Sequence, residues 1–304
     1  MKVIIVGLGI QGRKRMKLLG KRVVFSVDPK TGDADYREIY EVPLNAYDAA
    51  FLCVPDNEKT NLIEFCIRNK KHVLVEKPLL MNDSNELINI QNRASDAGVV
   101  IYTAYNHRFE PHIKTIQKIL GSKQLGKLYS INLSYGNGTS QLVKSNEWRD
   151  SGSGVITDLA PHLLDMLDFW IGRYALDGLN VKARSFETKA PDFAVITADY
   201  SGIAIKMDVS WCCWKNTFTC DIFGEKGSIH LSSLCKWGPS ILTTRERIMP
   251  SGPPIERHEE LLATDPTWHS EHQSFFALIG GGFKTDLRKD IWISGLLNEI
   301  NSRL

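Results

Sequence analysis

The apolar run Lys2–Val6 ends on Gly7-Leu8-Gly9-Ile10-Gln11-Gly12, and the helix pattern Ile10–Leu19 follows at once. A G-x-G-x-x-G hexapeptide alone constrains little, but between a strand and a helix it constrains a great deal. Gly7 permits a tight turn, Gly9 lets a pyrophosphate approach the backbone, and Gly12 lets helix and strand pack closely. The helix N-terminus adds N–H donors and a dipole that favours phosphate. Asp28 ends the second strand, Val23–Val27, 21 residues after Gly7, where an acid binds a ribose 2′-hydroxyl. The competing reading is a glycine turn in some other α/β protein, with Asp28 a turn residue before Pro29.

The strand–helix alternation continues. Ala49–Val54 reads as a strand closed by Pro55, Thr60–Arg68 as a helix, and His72–Val75 as a strand leading into Glu76-Lys77-Pro78. Asn82 or Asp83 caps a helix that runs to Ala97, and Val99–Ala104 is a further strand. Apolar strands separated by helices predict a parallel sheet covered on both faces. After a helix at Glu110–Leu120 the rhythm changes. Lys127–Tyr135, Leu179–Glu187, Phe193–Tyr200, Ile203–Trp211 and Thr217–Phe223 follow one another, with hairpin signals at Ser201-Gly202 and Gly224–Gly227. The reading is α/β: a doubly wound parallel sheet over residues 1–120, then an α+β domain over 121–304 with a mostly antiparallel open sheet. The second domain holds one early helix, Val155–Ile171, and two closing ones, His269–Ile279 and Leu287–Asn301, with 236–267 irregular.

A chain of 304 residues suits two domains. With 43% hydrophobic and 24% charged residues it is ordinary for a globular protein, which argues against disorder. A formal charge of +2, a pI near 8.1 and no Lys/Arg-rich block argue against nucleic acid. No apolar run reaches membrane-span length, and the strand that begins at Lys2 leaves no secretory pattern at the start. The six cysteines include no C-x-x-C pair, so free thiols in a reducing cytoplasm are expected.

Two places carry candidate chemistry. Lys77 lies at the C-terminal end of a parallel strand, the edge that lines the ligand crevice in open α/β sheets. Position alone does not separate a group aimed into a site from a solvated lysine. The stretch Ser151-Gly152-Ser153-Gly154 opens the helix Val155–Ile171, on which Asp158 and His162 stack at i,i+4 and Asp165 follows. A carboxylate one turn from an imidazole fixes its tautomer and raises its basicity. The alternative is a capped helix with incidental Asp and His.

In this order the motifs resemble the Gfo/Idh/MocA oxidoreductases, the family of glucose–fructose oxidoreductase and inositol dehydrogenase. The set comprises the glycine hexapeptide, Val54-Pro55, His72–Leu79 with Glu76-Lys77-Pro78, Arg108-Phe109 with Pro111, Trp148-Arg149, and Asp158-x-x-x-His162. The resemblance implies a nicotinamide cofactor, NAD with NADP possible, bound through Gly7, Gly9, Ile10, Gln11, Gly12 and Asp28. Val54, Pro55, Glu76 and Lys77 would lie toward the nicotinamide. It implies Lys77, Asp158 and His162 as catalytic residues, and Arg108, Trp148 and Arg149 beside them against a sugar-like substrate. Arg108 and Arg149 have a competing structural role, bridging the domains through carboxylates such as Asp150 or Asp158. Whether Lys77 or His162 is the formal base stays open. The expected partners are a small sugar-like molecule and further copies of the chain, as a homodimer or homotetramer through the C-terminal sheet, with no nucleic acid, membrane or metal. Alternatives are a nucleotide-sugar dehydrogenase or reductase of surface polysaccharide synthesis, and a non-enzymatic dinucleotide-binding regulator, a class that loses the residues Lys77, Asp158 and His162 match.

The chain departs from that family in four places. Lys59 stands where a histidine is usual, Lys70 where a glycine is usual, and the 20 residues from Asp28 to Ala49 leave little room for a third crossover helix. The chain also stops right after its last helix, where many relatives extend. Elsewhere, His269, Glu271 and His272 read as a solvated helix start. Trp211-Cys212-Cys213-Trp214 reads as a bulky strand in the core or a subunit interface, and Arg245, Arg247 and Arg257 as a solvated loop.

Overall fold

The computed structural model describes every residue except Asn82 and Trp148, and for Ser84 the backbone alone. The chain divides into two compact units, Met1–Asn106 with Trp268–Ser294, and His107–Thr267 with Gly295–Leu304. The division therefore comes earlier than the change of strand rhythm at residue 121, and a late helix returns to the first unit.

The first unit holds five strands, β1 (Val3–Val6), β2 (Val23–Val27), β3 (Ala49–Leu52), β4 (His72–Glu76) and β5 (Ile101–Ala104). They are all parallel, in the order β2-β1-β3-β4-β5. Three helices link them: α1 (Ile10–Leu19), α2 (Asp56–Arg68) and α3 (Ser84–Asp96). Side chains alternate across the sheet. Ile4, Val6, Ala50, Leu52, Val73 and Val75 join one buried cluster with Ile63 and Cys66 of α2 and Leu87 and Ile90 of α3. Val3, Ile5, Ala49, Phe51 and Leu74 join a second with Leu19 of α1 and Phe275 of the late helix. Asp83 caps α3, accepting from the Asn85 N–H; Asn82, the other cap considered, lies outside the described residues. Between β2 and β3 two single turns, Ile39–Glu41 and Leu44–Ala46, stand in for the crossover helix, and Ile39, Val42 and Tyr47 bury the face such a helix would cover.

The second unit opens with α4 (Pro111–Gly121) and an eight-stranded sheet. Its elements in chain order are β6 (Leu128–Gly136), α5 (Ser140–Lys144), α6 (Val155–Ile171), β7 (Asp177–Arg184), β8 (Phe193–Asp199), β9 (Ala204–Ser210), β10 (Thr217–Gly224), β11 (Gly227–Ser232), β12 (Ser240–Glu246) and β13 (Ile255–Leu261). The strand order is β13-β12-β11-β10-β6-β9-β8-β7, antiparallel except for β6 against β9. Ile131, Leu133, Ile196, Met207, Phe218 and Ile222 are buried on one face, while Asn132, Lys206 and Thr219 alternate with them. Helix α6 is buried over most of its length and packs on β6, β8 and β9. The chain closes with α7 (Thr267–Gly280) and α8 (Arg288–Asn301). No described helix is long and apolar enough to cross a membrane.

Three expectations change. Residues 236–267 are irregular only in part, because Ser240–Glu246 and Ile255–Leu261 pair along their whole length as β12 and β13. Six of the seven β13 residues are exposed, so its sequence shows no inward alternation to read. Arg245 is thus a strand residue, donating to Glu256 across the pair at 2.6 Å. Strand β9 ends at Ser210, and the chain turns at once. Trp211 is buried while Trp214 is exposed at φ 57°. Glu271 and His272 are buried rather than solvated, for a reason that lies in α1.

Candidate active site

In the first unit the glycine turn is required by space. Gly7 has φ 91°, and a Cβ there would lie 2.4 Å from the Cys53 carbonyl oxygen. A Cβ on Gly12 would lie 1.9 Å from the Gly7 carbonyl oxygen. Gly9 caps α1 with open space beside it, and Ile10 and Gln11 are exposed. Asp28 Oδ2 accepts from the Leu8 N–H at 2.7 Å, and its Oδ1 accepts from the Lys30 and Thr31 N–H groups at 2.8 and 2.9 Å. Burial pushes this carboxyl up, but those backbone donors outweigh it and hold it down at about 2. A free helix N-terminus, a turn that excludes side chains and a fixed carboxylate at the end of β2 suit a dinucleotide.

Strand β4 delivers Glu76 and Lys77. Glu76 Oε1 accepts from Arg15 Nε at 2.6 Å. Arg15 is 1% exposed, although it sits in the basic run Arg13-Lys14-Arg15. It also donates to Glu271 Oε2 at 2.9 Å, contacts His272 Nε2 at 2.9 Å and lies 4.5 Å from the Trp268 ring centroid. This network explains the buried start of α7. Burial, then the Arg15 charge, push His272 down to about 3, so its ring is neutral and Nε2 accepts. Burial pushes Glu271 up to about 7, although Arg15 pulls it back. Lys77 is half-buried. Around it, Lys59 of α2 reaches up with Nζ 2.6 Å from the carbonyl oxygens of both Glu76 and Pro78. Val54 and Pro55 lead into α2, with Pro55 at its N-cap.

In the second unit α6 carries Asp158 and His162. Gly154 caps it at φ 52°, where a Cβ would meet the Pro191 carbonyl oxygen at 2.3 Å. The Asp158 carboxylate accepts from Trp211 Nε1 at 3.0 Å, and Arg149 approaches it at 3.8 Å. His162 is 6% exposed, its ring stacked on His107 with centroids 4.1 Å apart and planes 30° from parallel. Tyr135 meets His162 edge-on at 5.8 Å and stacks on Trp237 at 5.5 Å. Burial, with the Asp158 charge adding to it, pushes the Tyr135 phenol far up, so it stays neutral. Arg108 grips Asp165 through Nε at 3.0 Å and Nη2 at 2.5 Å, reaches Asp168 at 3.4 Å and lies over Phe169. Arg108 thus pairs with carboxylates of its own unit, as does Arg149 with Asp158. Trp148 lies outside the described residues.

Sequence reasoning gave no site role to His107, Trp211, Trp237, Arg15 or Lys59, although it marked Trp211 as a core or interface residue and Lys59 as a departure from the family pattern. His107 and Trp211 reach α6 from distant segments, Trp237 backs His107 and Tyr135, and none of the three leaves a local pattern. The last two did leave a signal. Arg15 shares a helical stripe with buried Gly12 and Leu19, and Lys59 shares one with buried Ile63, Cys66 and Ile67.

Known proteins agree with this architecture. A levoglucosan dehydrogenase solved with NADH superposes with a TM-score of 0.83 at 16% identity, over 99% of this chain and 96% of that one. A UDP-N-acetylglucosamine 3-dehydrogenase from Acidithiobacillus ferrooxidans superposes with a TM-score of 0.81 at 16% identity, over 100% and 97%. In sequence, the trans-1,2-dihydrobenzene-1,2-diol dehydrogenase of Sus scrofa is 25% identical over 206 residues, 66% of this chain. That match spans 59% of the relative's own length. Residues 1–105 match the model of the oxidoreductase family, NAD-binding Rossmann fold, and residues 113–230 match the GFO/IDH/MocA C-terminal domain. With these matches running over most of its length, the chain belongs to the Gfo/Idh/MocA family of oxidoreductases, and residues 1–105 are that family's NAD-binding Rossmann domain.

Proposed function

We propose that the chain is a dehydrogenase or reductase that moves a hydride between a nicotinamide and a hydroxyl- or keto-bearing carbon of a six-membered polyhydroxylated ring, a sugar or cyclitol. The observation that carries the proposal is the buried His162, set on α6 one turn after a carboxylate that Trp211 and Arg149 hold in place. When bound, the nicotinamide accepts or returns the hydride at C4. In the oxidative direction His162 takes the proton that the substrate hydroxyl gives up, and Asp158 supports the imidazolium that results. Lys77 hydrogen-bonds the same oxygen and stabilises its developing negative charge. Asp28 offers its carboxylate to a ribose 2′-hydroxyl and repels a 2′-phosphate, so NAD is the preferred cofactor, with Lys30 moderating the preference.

The similarity to a levoglucosan dehydrogenase and to a cyclic diol dehydrogenase supports a ring substrate. The UDP-N-acetylglucosamine 3-dehydrogenase neighbour supports a second reading, a nucleotide-linked sugar of the kind used in surface polysaccharide synthesis. A panel of free sugars, inositols, sugar acids, sugar phosphates and nucleotide sugars, each with NAD and NADP, separates the two. Activity confined to acyclic compounds sinks the ring substrate. In Lys77→Met, kcat with the best panel compound is expected to fall by a factor on the order of 100, with NADH affinity little changed. Near-normal turnover removes Lys77 from the chemistry.

A further inference from the structure

Lys59 lies on the buried stripe of α2 and is 2% exposed. A lysine ammonium taken from water destabilises the fold unless each of its N–H groups is matched. Here three N–H donors meet three oxygens: Asp56 Oδ1, the Glu76 carbonyl and the Pro78 carbonyl, each at 2.6 Å. Burial lowers the lysine's affinity for its proton, and Asp56 supports the charged form. An aliphatic side chain would fill this stripe at lower desolvation cost, so simple packing does not explain a lysine here. The two carbonyls belong to the residues immediately before and after Lys77. One charged group therefore ties down the backbone on both sides of the lysine at the end of β4, while Arg15 separately holds the Glu76 side chain. A neutral imidazole would have one N–H to offer two carbonyls; an ammonium has enough for both and for Asp56.

We propose that Lys59 is a positioning residue for Lys77, bracketing its backbone so that the Lys77 ammonium is presented in one place. The inference rests on Lys77 acting in the reaction. A displacement of about 1 Å at a reacting group costs up to about 100-fold in rate, so loss of the bracket shows mainly in turnover. The test uses the full chain and the most active panel compound, with Lys59→Met, Lys77→Met and the double variant. Expected are a fall in kcat of about ten-fold or more for Lys59→Met, an NADH dissociation constant within about two-fold of the parent, and a double variant no slower than Lys77→Met alone. A merely structural role would lower the melting temperature and the fraction of NADH-binding protein, not kcat per binding site. Unchanged kcat in Lys59→Met while Lys77→Met is impaired overturns this inference alone, as do losses that multiply in the double variant. Normal turnover in Lys77→Met overturns the parent reading and this inference with it. Should Lys59→Met fail to fold, Lys59→Gln, which keeps an N–H donor, and Asp56→Asn, which loosens the ammonium from its partly exposed partner, carry the same cycle. Each is then expected to lower kcat without adding to the Lys77→Met loss, and normal turnover in both overturns the inference.

Discussion

The residues proposed for chemistry are held by opposite means in the two units. Around β4 the support is ionic. Arg15, Glu76 and Glu271 form hydrogen-bonded charge contacts of 2.6–2.9 Å. Around His162 on α6 the support is aromatic, with His107 and Tyr135 against its ring at 4.1 and 5.8 Å and Trp237 backing those two at 5.8 and 5.5 Å. A buried charge network is all-or-none, since deleting one member strands the others in a low-dielectric interior. A ring stack is graded, since deleting one ring removes area and quadrupole contacts and leaves no charge unmatched. The Arg15 network should therefore fail by unfolding when it is cut, and the ring stack of the second unit by losing rate.

The largest expected effect follows from Arg15. Arg15→Met leaves Glu76 and Glu271 without their cation, and should destabilise the first unit by about 3–5 kcal/mol in urea unfolding. Arg15→Met combined with Glu271→Gln should recover part of that loss, because one stranded carboxylate is gone. A fall below about 1 kcal/mol for Arg15→Met would mean that the network is not the keystone of this unit.

The two kinds of support also differed in how readily they were read. The glycine turn, Asp28, and Asp158 with His162 each sit at short, regular spacing, and local geometry follows from spacing. The parallel strands were equally legible, because burial on both faces makes them continuous apolar runs. Strand β13 was not, because its exposed residues, Glu256-Arg257-His258-Glu259-Glu260 among them, look like a solvated loop, and only backbone pairing makes it a strand. Arg15 and Lys59 were hidden by their residue type, since lysine and arginine are almost never fully buried unless paired. His107 and Trp237 were hidden by distance along the chain, since the fold alone brings His107 to His162 and Trp237 to His107 and Tyr135.

A smaller effect tests whether the charges of the first unit are coupled to pH. Glu271 has its folded value raised to about 7 from an ordinary 4.5. Its contribution to stability is therefore fully present below about 4.5 and is lost as pH rises through about 7. His272 has its folded value lowered to about 3 from 6.5. Its contribution is present above about 6.5 and is lost as pH falls through about 3. From about 4.5 to 6.5 the two slopes oppose, so the parent should be nearly flat with respect to this pair. Glu271→Gln removes the falling slope. The variant should gain on the parent as pH rises from about 4.5 to 7, by up to about 1.4 kcal/mol per pH unit. Urea midpoints at pH 5, 6 and 7 measure the difference, and parallel curves would show that Glu271 is ionised throughout.

The smallest effect bears on the ring stack and asks whether shape or charge positions His162. An aromatic pair contributes about 0.5–1.5 kcal/mol beyond its buried area, equivalent to about two- to ten-fold in a rate constant if the pair is needed to hold the reacting ring. His107→Ala removes the ring that lies 4.1 Å from His162 and should lower kcat within that range. His107→Phe keeps a flat ring in the same place without nitrogens. If stacking is what matters, His107→Phe retains most of the parent's kcat and the same acid limb in its pH–rate profile. If His107 acts through a ring nitrogen, His107→Phe falls as far as His107→Ala, and the contrast between an ionic support in one unit and an aromatic support in the other breaks down. Both variants should leave NADH affinity unchanged, because the glycine turn and Asp28 belong to the first unit and His107 to the second. An altered NADH dissociation constant in either would mean that His107 reports on cofactor binding rather than on the orientation of His162.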